Sequence, residues 1–454
     1  MSFKMYNSNF RNFVVGLDTK IPLGKGLDVW GGMDIKMITA INFDNAATTP
    51  PFITVMQEII NFAPWYSSVH RGTGYKSELS SKLFEESRLD VLNFVNADPE
   101  NDIAIFVKNA TEAINKLSFR LCDKNKDCVV LSTFMEHHSN DLPWRDKYIV
   151  DYIDIDINGR LCLEDLESKL IKYKGKVKLI TITGASNVTG YINPVHKAAA
   201  IAHKYNAKIC VDGAQLIPHM QFNMKPHDAQ QHIDYLVFSA HKMYAPFGIG
   251  VLIAPRDLFT HGCPDYAGGG TVKVVTHDYI KWENPPHKEE AGTPNIIGVQ
   301  ALSASIKTFN LIGLKNIEKY EHSLLKYTLQ KLQNIPGLML YGNTKEGVDQ
   351  VGIIPFNIAG VYHGIVSSIL SCEAGIAVRS GCFCAQPYIQ RLLSLSREEI
   401  EKSIENPDSP RSGMVRISFG LYNNYAEIDK LVWILESIAE NKDNYLKKYK
   451  RNMK

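Results

Sequence analysis

The 454-residue chain has no apolar run near the ~18 residues that a membrane-crossing helix requires. Its start, MSFKMYNSNFRNF, is polar and aromatic and lacks the apolar stretch of a secretory leader. Net charge is nearly absent, at +2 from 50 basic and 48 acidic residues. That removes the electrostatic argument for nucleic acid or an anionic membrane as the main partner. Cysteine is sparse, with eight in the whole chain, too few for a disulfide scaffold. No Gly-x-x-x-x-Gly-Lys-Ser/Thr occurs, so there is no nucleotide P-loop. Internal repeats and low-complexity tracts are also missing. These absences predict a cytoplasmic, globular protein with reduced thiols, long enough for two domains.

Along the chain, residues 1–40 have no steady period and read as an arm that packs with the small domain. From 41 to 310 apolar, strand-like runs (103–107, 128–132, 178–183, 208–211, 234–239 and 249–253) alternate with helical periods such as 78–95 and 111–121. This alternation predicts an α/β domain whose mostly parallel sheet is covered by helices, with ligands bound at the carboxyl ends of the strands. A long helical stretch at 299–333 leads into a smaller α+β domain, 311–454, with strands near 337–341, 351–358 and 414–419 and a helix from about 426. The basic end, YLKKYKRNMK, reads as a frayed, solvated helix end.

Three segments of the large domain end in polar residues at one edge of that sheet. AKICVDGAQ (207–215) delivers Asp212 at the end of a buried strand, with Gln215 after it. Asp212 either caps the next turn or keeps a heteroaromatic nitrogen protonated. IFVKNATEAIN (105–115) is a strand, a turn and a helix start, where Asn109 and Thr111 either cap the helix or receive an anion at its N-terminus. FSAHKMYAPFGIG (238–250) places Ser239, His241 and Lys242 where a strand meets a small-residue loop. A desolvated lysine beside an acid and an anion site suits pyridoxal 5′-phosphate (PLP), which needs a Schiff-base amine and a partner for its ring nitrogen.

The stretches FDNAATT (43–49), HRG (70–72), EHHSNDLPW (136–144), SNVTGYINP (186–194), VDGAQLIPH (211–219), SAHK (239–242), EAGTPN (290–295), VRSGCFCAQPY (378–388) and VRISFGLYNN (415–424) extend this pattern. Together they make the chain resemble the class V aminotransferase superfamily of fold-type I PLP-dependent transferases, in its cysteine desulfurase and selenocysteine lyase branch. The resemblance implies Lys242 as the Schiff-base lysine, Asp212 against the pyridine nitrogen and Gln215 at the ring's phenolic oxygen. It implies that His137 stacks on the ring and moves protons, with Asn187 on the same face. Thr111, Ser239 and His241 would hold the phosphate, with Thr293 reaching in from a second subunit of a homodimer. Arg379 would bind the substrate carboxylate.

In RSGCFCAQP the same resemblance places Cys384 as the sulfur-accepting nucleophile. A metal reading of Cys382 and Cys384 fails because no further Cys/His cluster accompanies them. Cys382 reads as a space-filling thiol, with sulfur relay as the other option. The implied activity is conversion of L-cysteine to L-alanine, with a persulfide on Cys384 for an unidentified acceptor protein. Alternatives are a C–S or selenocysteine lyase acting on a related thio- or seleno-amino acid, an aminotransferase, and an inactive PLP-fold scaffold. Two departures stand out. Gly184 occupies a position where the family commonly has histidine, and an insert follows the nucleophile at 394–413. In it Ser396 and Glu399 predict a capping box and a short helix.

Overall fold

The computed structural model describes residues 10–24, 36–121, 128–342 and 349–449. Gly26, Gly31 and Gly32 of the arm, Cys122, and the basic end beyond Tyr449 lie outside the described residues. The large sheet has seven strands. In spatial order they are Asp102–Val107, Gly250–Pro255, Tyr235–Ser239, Lys208–Asp212, Val177–Thr183, Val129–Thr133 and Ile149–Ile153. The last five run parallel, while Gly250–Pro255 is antiparallel to both its neighbours. The predicted α/β sheet is therefore present, with six strands near their expected positions. The seventh, Ile149–Ile153, is a half-exposed edge strand that the apolar-run criterion passes over.

Side chains alternate across this sheet, so each strand feeds two cores. Ile103, Ile105 and Val107 pack with Ala113, Ile114 and Leu117 of the helix Ala110–Leu121. Ala104 and Phe106 face the other way, into the larger core that contains Phe84, Val91 and Leu302. Both faces being covered explains why the central strands are continuous apolar runs.

The predicted helix at 299–333 is two helices, Ile296–Ile312 and Leu314–Leu332, bent by 76°. Gly313 between them sits at φ 85°, a conformation that side chains resist and that ends the first helix. Among the described residues no single helix is long and apolar enough to cross a membrane. A four-stranded sheet, in the order Leu338–Leu340, Ile353–Ile358, Met414–Ser418 and Arg379–Gly381, carries the Cys382–Cys384 motif off its edge strand. The insert forms the predicted helix, Arg397–Glu405, with both halves of the Ser396/Glu399 capping box made. The described part of the basic end, up to Tyr449, is helical and tied down. Lys442–Tyr449 is helical, and Lys448 and buried Tyr449 both bond Glu373. From the arm, Arg11 bonds Glu427 at 2.8 Å and the Tyr422 carbonyl at 3.1 Å.

Candidate active site

A cavity of about 530 Å³ opens at the carboxyl ends of the parallel strands, and one loop fixes its floor. After the Tyr235–Ser239 strand the chain makes a 3₁₀ turn, Ala240–Lys242, and presents Lys242 to the cavity. The FDNAATT segment clasps that turn. Thr49 N–H and Thr48 Oγ1 both donate to the His241 carbonyl at 3.0 Å, and Tyr244 N–H donates to Thr49 Oγ1 at 2.8 Å. Desolvation pushes the Lys242 amine down to about 8, with Asp212 pulling it up and Arg416 pushing it further down. The amine is thus partly in its free-base form near neutral pH.

Asp212 ends its strand on the same cavity. It accepts one backbone N–H, from Ala214 at 3.0 Å, and forms no ion pair with any described residue. Burial raises its pKa; the Ala214 bond and the Lys242 charge lower it. Gln215 donates from Nε2 to the Ala46 carbonyl at 2.6 Å, while its buried Oε1 has no partner. Both side chains retain hydrogen-bonding capacity toward the cavity.

On the facing wall the helix Ala110–Leu121 points its N-terminus at the cavity. Asn109 caps it by accepting from Glu112 N–H at 3.0 Å, and Ser239 Oγ accepts from Ala110 N–H at 2.8 Å. Thr111 and Ser139 hydroxyls lie 2.6 Å apart, and His241 lines the same corner. Gly250 makes this approach possible, since a Cβ there would lie 2.5 Å from the Asn109 backbone. The helix N-terminus and three hydroxyls make an anion cradle.

His137 lines the cavity, with Nδ1 accepting from Ser139 N–H at 3.1 Å, so the neutral ring carries its proton on Nε2. Desolvation first, then the Lys242, His138 and Arg416 charges, push its pKa down to about 3. Its neighbour Glu136 is buried beneath this turn and accepts from Thr133, Asn140 and Thr183.

Cys382–Ala385 is a tight turn closed by Ala385 N–H to the Cys382 carbonyl at 2.9 Å. Its central residues, Phe383 and Cys384, both have left-handed backbones (φ 50° and 55°), as a type I′ turn requires. Two bonds hold it: His138 N–H to the Cys384 carbonyl at 2.6 Å and Asn187 Nδ2 to the Phe383 carbonyl at 2.7 Å. Asn187, expected on the substrate face, therefore lines the cavity while anchoring the cysteine turn. Cys384 is exposed to the cavity that holds Lys242.

Arg379 lies at the rim, its side chain 50% exposed, with Nε 3.3 Å from Asp44. Opposite it across the strand pair is Arg416, only 3% exposed, bonded to the other Asp44 oxygen at 3.0 Å and to the Asn187 carbonyl at 2.8 Å. Its Nε is buried without a partner, and its guanidinium lies 4.9 Å over the Phe383 ring. Burial pulls its pKa down to about 10. The motif reading left Arg416 without a role. The available signal was a lone cation inside an apolar strand, MVRIS.

Thr293 is the one expected site residue that the single chain does not bring to this cavity. It lines a separate cavity of about 430 Å³ with Ser68, His70, Arg71 and His287. Gly184, the departure from the family's histidine, packs tightly. A Cβ there would lie 2.8 Å from Leu216 Cδ2, so the position faces the core.

A family model described as Aminotransferase class-V matches residues 41–431. A protein of Halalkalibacterium halodurans named probable cysteine desulfurase is 34% identical over 408 residues, covering 88% of this chain and 93% of the relative. A probable cysteine desulfurase of Mycolicibacterium paratuberculosis is also 34% identical over 88% of this chain, which spans only 56% of that relative's length. The solved apo structure of a cysteine desulfurase from Thermococcus onnurineus NA1 superposes with a TM-score of 0.78 at 32% identity, covering 88% of this chain and 95% of that one.

Proposed function

The chain belongs to the class-V aminotransferase family, and from that premise we propose that it is a PLP-dependent cysteine desulfurase. The observation that carries this reading is that Lys242 and Cys384, from different sheets, face one cavity. The cavity fits the cofactor. Asp212 is a buried carboxylate with no ion pair among the described residues, Gln215 has bonding capacity to spare, and the Thr111–Ser239–His241 corner is an anion cradle. Lys242 would hold PLP covalently, Asp212 would face its ring nitrogen, and His137 would lie against the ring. When bound, PLP supplies an electron sink that acidifies the Cα–H of an amino acid.

The chain's own groups do the rest. Arg416 and Arg379 receive the substrate carboxylate, with Arg416 as the buried, fixed member. Lys242, partly unprotonated near neutral pH, takes the Cα proton. His137, neutral with its proton on Nε2, returns protons to the product side. The Cys384 thiolate attacks the substrate sulfur, the S–Cβ bond breaks, and its electron pair stays on carbon, which is protonated to give alanine. Sulfur remains as a persulfide on Cys384.

The active unit in this reading is a homodimer in which Thr293 of one copy completes the phosphate site of the other. In support, the hairpin of strands Val272–Val275 and Ile280–Trp282, next to Thr293 in the chain, exposes Val274, Val275, Tyr279 and Ile280, an apolar surface for a partner copy. No disulfide links the cysteines of the described residues, in keeping with the cytoplasm.

Incubating the PLP-loaded protein with L-cysteine tests the activity: alanine and sulfane sulfur should appear together, and Cys384→Ala should stop both. Pyruvate in place of alanine, or wild-type turnover of L-cysteine by Cys384→Ala, would shift the assignment to a C–S lyase.

A further inference from the structure

Cys382 is left without a task by the reaction above. The sequence left it between packing and sulfur relay; it packs against the core around Phe383 and Tyr388 and is also half-buried on the wall of the cavity that holds Cys384. The two cysteines are the first and third residues of one closed turn. Phe383 between them is buried, tied by its carbonyl to Asn187 and covered by Arg416, while both cysteines line the cavity and Cys384 lies within electrostatic range of Cys382. The Cys382 thiol donates to the Ser412 carbonyl at 3.3 Å, on the return leg of the insert. Arg411, the preceding residue, lines the cavity as well. Desolvation raises the Cys382 pKa and Arg411 opposes it, so the insert brings a cation within electrostatic reach of this thiol.

We propose that Cys382 is a second sulfur station, loaded from the Cys384 persulfide and held under Arg411, so that Cys384 is freed for another L-cysteine. The inference rests on the desulfurase reading. In the step, the Cys382 thiolate attacks the outer sulfur of Cys384–S–SH. A new S–S bond forms on Cys382, the old one to Cys384 breaks, and its electron pair leaves on Cys384. Cys384 takes up the proton that Cys382 released. One thiol and one persulfide give one persulfide and one thiol, so no oxidant or reductant is consumed. A persulfide is a stronger acid than its parent thiol, so the transferred group is an anion, which Arg411 suits. Half-burial shields it from solvent thiols better than exposed Cys384 does.

The test uses the full-length, PLP-loaded protein with excess L-cysteine and no acceptor thiol, quenched with iodoacetamide for peptide mapping and sulfane-sulfur counting. Wild type should carry two sulfane sulfurs per subunit, one on each cysteine. Cys382→Ser should carry one, on Cys384, and Cys384→Ser should leave Cys382 empty. Arg411→Gln should deplete Cys382 while Cys384 stays loaded, and this arm stands if Cys382→Ser misfolds. Wild type that stops at one sulfur, or that adds the second as a longer chain on Cys384, overturns the proposal. So does sulfur on Cys382 in Cys384→Ser. Failure of wild type to form any alanine or persulfide would instead refute the desulfurase reading, and this inference with it.

Discussion

Arg416 donates to the carbonyl of Asn187 at 2.8 Å, while the Asn187 amide donates to the turn that carries Cys384. The cation proposed to receive the substrate and the support of the proposed nucleophile are thus one bonded unit. Arg416→Lys breaks the fork that spans Asp44 and Asn187. Loss of a buried charged hydrogen bond costs about 1.5–3 kcal/mol, so KM for L-cysteine should rise roughly 10- to 100-fold. Arg379→Lys, at the exposed rim, should raise it several-fold less. Alanine formation across substrate concentrations reads both, and equal effects would remove Arg416 from its assigned role.

Burial lowers the Lys242 amine from 10.5 to about 8. A depressed pKa means the free base appears at lower pH. Covalent uptake of PLP by the apoprotein should therefore accelerate as pH rises through about 8 and then level off. Borohydride reduction at timed intervals and peptide mapping should place the cofactor on Lys242. A rate still climbing tenfold per unit at pH 9 to 10 would contradict the burial argument.

Thr293 acts across the dimer if the second cavity belongs to the partner's site. Thr293→Ala and Lys242→Ala should each be impaired alone. Mixed and allowed to exchange subunits, they should regain activity, since random pairing gives each heterodimer one intact site, about a quarter of all sites. No recovery after confirmed exchange would place Thr293 in its own chain's chemistry.

Buried Arg88 bonds both oxygens of Glu290 at 2.7 Å, and Glu290 also accepts from Phe106 N–H at 2.7 Å. This fixes the start of the EAGTPN loop that presents Thr293. Arg88→Met strands a buried carboxylate, and breaking such a pair costs about 3–5 kcal/mol. Urea unfolding should show that loss at unchanged slope, and Arg88→Met/Glu290→Gln should recover much of it. A double variant no more stable than Arg88→Met would mean the cost is lost packing.

The sheet was legible because its central strands are buried on both faces and read as apolar runs. Ile149–Ile153 was not, because Asp151, bonded to Lys169 and Lys172, gives an edge strand the look of a loop. The single helix at 299–333 was misread because its apolar period runs through Gly313, and only the backbone angle there reveals the break. In the site, motifs located residues but not their directions. Asn187 turned out to brace the cysteine turn, Arg416 hid among apolar neighbours, and Cys382 both packs against the core and lines the cavity. Thr293, expected from the motif at a phosphate site shared with a second subunit, lies on a separate cavity of the single chain.

Asp44 meets Arg379 with one oxygen and Arg416 with the other. One anion against two cations leaves this corner of the cavity a single positive charge in excess. In the proposed reaction a substrate carboxylate would close that balance, making a neutral quartet of two guanidiniums and two carboxylates. On the proposed function the corner would act as a charge filter: an α-amino acid would satisfy it, whereas a decarboxylated thiol such as cysteamine would leave its excess positive charge unbalanced and be rejected, whatever the fit of its sulfur.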